Sequence, residues 1–105
     1  MSYIVNGAGA KIFSDINKNK KLDIPNLKND SETGRVYTVL SVGFIGTHPL
    51  ATIEDEVGDP TARLLPEDLT SWVLSTIDFK KRGVNLLPEK VEFGKIDGVS
   101  YAEML

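Results

Sequence analysis

Apolar positions in this chain fall in short runs rather than in long helical stripes. The densest set lies between Gly34 and Leu69, GRVYTVLSVGFIGTHPLATIEDEVGDPTARLLPEDL. RVYTVLSV, bounded by Gly34 and Gly43, is rich in Val, Tyr and Thr, which suit a pleated, half-buried surface. Alternation sets Val36, Thr38, Leu40 and Val42 on one face and Tyr37 and Val39 on the other, so both faces carry apolar side chains. A strand bending around a small barrel can bury parts of both. GFIGTHP, with its glycines and proline, reads as a loop whose tip holds Phe44 and Ile45. LATIEDE predicts a second strand, Val57-Gly58-Asp59-Pro60 a turn, and ARLL a third strand. Pro66-Glu67-Asp68-Leu69 predicts a helical turn, with proline at its first position and acids at its positive end.

The flanks follow the same rhythm. SYIV and KIFS read as short strands around a turn at Asn6–Gly9. Asp15 to Thr33 is a long Asn/Lys-rich loop with Leu22, Ile24 and Leu27 as its apolar anchors, and loops of this length are usually functional. TSWVLSTIDFKK, Thr70–Lys81, fits a helix running on from Pro66. It also fits a strand, and its β-branched and aromatic content favours a strand closing the barrel. Gly83 reads as a hinge. KVEFGKIDGVSY predicts either a hairpin turning at Asp97-Gly98 or a tail that orders on a partner.

The arrangement GRVYTVLSV … ATIEDEVGD … ARLLPEDL resembles the small SH3-like barrels, including the KOW-type domains of transcription and ribosomal proteins, over roughly residues 9–79. Many small phage and bacterial proteins are similar. The resemblance implies a mainly β fold: a barrel of about five strands within residues 1–82, with a helical turn before the last strand and residues 83–105 as a hairpin or tail. It also implies a binding module with a long loop between the first two strands. A KOW-type partner surface is basic, whereas this hairpin carries Glu54, Asp55, Glu56 and Asp59, which speaks against nucleic-acid contact by the hairpin itself.

Composition narrows the function further. With 105 residues the chain suits one domain, and a net charge of −3 leaves any grip on DNA or RNA to a local patch. Cysteine is absent, which excludes a disulfide scaffold, a thiolate metal site and a cysteine nucleophile. No apolar run reaches membrane-spanning length, and residues 1–10 lack the basic start of a signal peptide, so the expected location is cytoplasmic, the host cytoplasm if the protein is viral.

Candidate chemistry is sparse. SYIVNGAG lacks the third glycine and the following helix of a dinucleotide fingerprint. FSDINKNKKLD sets Asp15, Asn17, Asn19 and Asp23 at positions 1, 3, 5 and 9 of a calcium-loop register. Lys20 stands where that loop needs glycine, Asn26 where it needs a closing carboxylate, and Lys18, Lys20 and Lys21 repel a cation, so a solvated loop is the stronger reading. His48 is the single histidine, and no phosphate loop or Ser/His/Asp set can be assembled. The expectation is therefore a protein that is not an enzyme and uses no cofactor, membrane or small-molecule substrate. Its function would be to bind a macromolecular partner, protein or nucleic acid, through loops. The partner-binding candidates are Lys18, Lys20 and Lys21 in the long loop, Phe44 and Ile45 at the GFIGTHP tip, and the basic run Lys80, Lys81 and Arg82. A protein-interaction module is the first reading, a KOW-type nucleic-acid module the second, and a calcium-stabilised domain the third.

Overall fold

A computed structural model describes residues 2–105 and is mainly β, with one short helix ahead of the last two strands. The strands are β1 (Tyr3–Val5), β2 (Lys11–Phe13), β3 (Asn26–Leu27), β4 (Arg35–Ile45), β5 (His48–Glu54), β6 (Pro60–Leu64), β7 (Glu89–Ile96) and β8 (Val99–Met104), and the helix α1 spans Thr70–Lys81. β6, β5, β4 and β7 lie side by side as antiparallel neighbours. β7 also pairs with β8 and, at its far end, with the two-residue β3, which runs parallel to it. β1 and β2 form a separate hairpin. Among the described residues β6 and β8 do not pair, so the sheet is open.

β4 explains why its sequence does not alternate cleanly. Its register against β5 steps from Val39↔Ile53 to Ser41↔Thr52, which leaves Leu40 as a bulge. An extra residue in a period-two strand exchanges its faces. Tyr37 and Val39 before the bulge, and Val42 and Phe44 after it, therefore all pack on the same core. The expected grouping of Val42 with Val36, Thr38 and Leu40 is corrected accordingly. The bulge also lets one strand serve two neighbours: residues 35–39 pair with β7 and residues 39–45 with β5.

GFIGTHP is not a loop. β4 runs through Ile45, and Gly46-Thr47 alone turns the chain into β5, with Gly46 at a φ of 61°. Phe44 and Ile45 are half-buried strand residues, Phe44 against the main core and Ile45 against a smaller cluster of Ala10, Leu50, Ala62 and Leu64.

TSWVLSTIDFKK is a helix, not a closing strand. Val73 and Thr76 are buried, Trp72 and Ile77 pack beside them, and the preceding turn Glu67–Leu69 buries Leu69. This i, i+3, i+4 set meets the core face of the sheet, and that packing outweighs β propensity. Thr76 costs little inside the helix because its hydroxyl donates to the Trp72 carbonyl at 2.9 Å. Gly83 is the helix stop rather than a hinge. At a φ of 90° it donates to Lys80 O at 3.0 Å, while Val84 N–H donates to Phe79 O at 2.9 Å, the paired bonds of a Schellman cap.

The expected boundary after residue 82 coincides with the end of α1, and the chain beyond it returns to the same sheet. Residues 89–104 do form a hairpin, turning at Asp97-Gly98 with both φ values positive. β7, however, lies between β4 and β8, and its Val91 and Phe93 are fully buried. Phe93 meets Tyr37 and Trp72 edge-to-face, with centroids 6.1 and 5.7 Å away.

Candidate anion-binding groove

The site is built from the edge of the sheet outward. Asn6 fixes the β1–β2 hairpin: its Oδ1 accepts from the Ala8 and Ala10 N–H groups at 3.0 Å, and its Nδ2 donates to Thr52 Oγ1 at 2.8 Å. Ala10 and Ile12 then pack on Leu50, Ala62 and Leu64. Strand alternation turns Lys11 and Phe13 away from that contact. Asn19, nearly buried, clamps the Phe13 backbone, accepting from its N–H at 2.9 Å and donating to its carbonyl at 3.0 Å. This holds the 3-10 turn Ile16–Lys18 beside β2. Lys20 O then accepts from Leu64 N–H at 2.7 Å, and Leu22 N–H donates to Leu64 O at 2.9 Å, which seats the chain on the β6 edge. Arg63 alternates with the inward Ala62 and Leu64.

Between these parts runs a groove of about 420 Å³ lined by Lys11, Lys18, Lys20 and Arg63. Phe13 and the stretch Pro60–Ala62 complete its walls, and no acidic side chain lines it. The three ion pairs among the described residues, Arg35–Asp23, His48–Glu67 and Arg82–Asp78, lie elsewhere. Tyr3 stands opposite Phe13 in the hairpin, its ring edge-to-face at 5.9 Å, and the Lys11 ammonium sits 4.9 Å from the Tyr3 ring centroid. Arg63 also borders the cleft that holds Glu54, Asp55 and Glu56, and its guanidinium donates to the Ala62 carbonyl at 2.9 Å. The acids nearest the groove therefore lie at its Arg63 side and pair with none of the four cations, and a bound anion relieves the repulsion among them.

The sequence candidates separate. Lys18 and Lys20 line the groove, whereas Lys21 faces two other clefts. Lys80, at the end of α1, lines clefts beside Leu40–Val42 with Lys81 and Arg82 exposed next to it, and Arg82 pairs with Asp78. The two basic runs line different clefts. The calcium-loop residues have local partners instead of a shared centre: Asp15 caps the 3-10 turn by accepting from Asn17 N–H at 3.0 Å, Asn19 clamps Phe13, and Asp23 pairs with Arg35. Among the described residues no three His, Cys, Asp or Glu side chains come together as a metal site would require. His48 Nε2–H donates to the Leu65 carbonyl at 3.0 Å, and its Nδ1 lies 3.8 Å from Glu67, tying β5 to the turn before α1.

Lys11 and Arg63 were not singled out by sequence. Each is an isolated cation within an apolar strand, so neither belongs to a charge run, and only the docking of β2 beside β6 brings them together. One acid of the β5–β6 turn orders the turn itself: Asp55 Oδ1 accepts from Asp59 N–H at 2.9 Å and Val57 N–H at 3.0 Å, which holds its carboxyl below the usual carboxylate range. No known protein family, no curated protein and no solved structure matches this chain.

Proposed function

We propose that this protein is a non-catalytic interaction module that holds an anionic macromolecular partner in the groove between β2 and β6. The observation that carries the reading is the set Lys11, Lys18, Lys20 and Arg63, gathered in one groove with no acidic lining and no ion pair, in a chain whose net charge is −3. Charge balance for folding does not require that concentration. The frame is read as a small SH3-like barrel left open on one side. Residues Lys20–Leu27 support this, because they cross from β6, through the Leu64 bonds, to β7, where Lys95 N–H donates to Pro25 O at 3.0 Å. A rigid β frame presenting a groove at its edge suits binding rather than turnover.

The test is retention on an immobilised polyanion at low salt. Wild-type protein should be retained and released as salt rises, and the double change Lys18→Glu with Lys20→Glu should abolish retention without changing the melting temperature. Failure of the wild-type protein to bind any polyanion would overturn the reading. A protein partner docked on Phe44 and Ile45 gains no support, since both side chains pack into the fold.

A further inference from the structure

We infer that the groove takes single-stranded nucleic acid, with phosphates on its cations and a base on the Tyr3 ring, which pairs with the groove-lining Phe13. This rests on the groove being the partner site and names the partner. Three observations carry it. Lys11, Lys18, Lys20 and Arg63 come from three separate segments that line one groove, an arrangement that suits a chain of phosphates. Tyr3, 39% exposed, and Phe13 form an aromatic pair beside these cations. Every base has a face that stacks on such a ring, whereas an acidic peptide needs only the cations. The Lys11 ammonium already rests over the Tyr3 ring, so a base stacking there displaces it toward the adjoining phosphate. A duplex offers phosphates but keeps its bases stacked inside, leaving the aromatic pair unused. The acidic turn at Glu54–Asp59 lies at the Pro60 end of the groove and repels a polyanion there, so the strand runs out past Lys18 and Lys20.

The experiment is fluorescence anisotropy with short labelled oligonucleotides, DNA and RNA, single-stranded and duplex, with heparin and polyglutamate as competitors. Single strands should bind at low salt with a log–log salt slope of about −2 to −3, as expected for three or four neutralised phosphates. Lys18→Glu with Lys20→Glu should remove binding. Tyr3→Leu, which keeps an apolar side chain in the hairpin, should weaken single-strand binding by roughly fivefold to a hundredfold, and Tyr3→Phe should restore it. If heparin and polyglutamate bind through the same lysines while single strands bind no better and Tyr3→Leu changes nothing, the nucleic-acid inference falls and the anion-binding module stands. Duplex bound as tightly as single strand, with no effect of Tyr3→Leu, also overturns the inference. Binding to none of these probes overturns both.

Discussion

Gly94 faces the ring of Tyr101 across the β7–β8 ladder, and a Cβ added there would lie 2.4 Å from a ring carbon. The phenol cannot retreat easily, because its hydroxyl donates to Glu92 Oε2 at 2.5 Å, and Gly34 N–H donates to the same oxygen at 3.2 Å. Gly94→Ala should therefore destabilise the protein by about 1–3 kcal/mol, read from chemical denaturation, and Gly94→Ala with Tyr101→Ala should recover part of that loss. Asp68 acts at the same scale. Its carboxylate accepts from the outward Ser100 N–H at 2.8 Å, covering part of the β8 edge, and this bond holds its carboxyl below the ordinary value. Asp68 and Asp55 both titrate lower folded than unfolded, so their stabilisation is complete above the unfolded value of about 3.9 and is lost as pH falls through the depressed folded values. The melting temperature should hold steady down to that range and then drop, and Asp68→Asn should make the drop shallower.

At the scale of elements, the C-terminal hairpin is the informative case. β7 supplies Val91 and Phe93 to the core and holds β4 on one side and β8 on the other. Removing residues 83–105 takes away a central strand and also the Gly83 and Val84 bonds that close α1. The truncated protein should lose its cooperative melting transition in circular dichroism. A sharp transition in the truncated protein would mean that residues 2–82 fold alone. The bulge at Leu40 is the other element-scale device, since it lets the first part of β4 join β7 and the second part join β5 with one core served throughout.

Across the whole molecule, one core lies between α1 and the sheet, and a smaller one lies between the β1–β2 hairpin and β5–β6. β5 separates them, with Ala51 and Ile53 in the first and Leu50 in the second. Phe93 is fully buried where helix, β4 and β7 meet, and Phe93→Ala should cost about 3–5 kcal/mol, a large share of the stability of a small domain. Trp72 fluorescence reports the change directly, since its ring lies against Phe93. Phe44→Ala, at a half-buried position, should cost less than Phe93→Ala in the same assay. An equal or larger loss would place Phe44 at the centre of the core. Among the described residues no helix is long and apolar enough to cross a membrane.

Local chemistry was legible in the sequence. Val/Tyr/Thr composition marked β4, Pro66 and its acids marked the start of the helical segment, and Asp97-Gly98 marked the β7–β8 turn, because each signal acts within a few residues. Leu22 and Ile24 were legible as anchors of the long loop for the same reason, as apolar residues in a polar stretch. Tertiary packing decided the rest. Thr70–Lys81 is helical because Leu69, Trp72, Val73 and Thr76 find the sheet, a contact that β propensity does not register. The faces of β4 depend on a bulge seen only in its pairing with β5. Lys18 and Lys20 were visible as a basic run, but Lys11 and Arg63 join them only because β2 docks beside β6, and the separation of Lys80–Arg82 from that groove follows from where α1 ends. Sequence neighbours set turns and strands through short-range sterics. A site drawn from three segments is set by how those strands pack, and packing is a property of the folded chain.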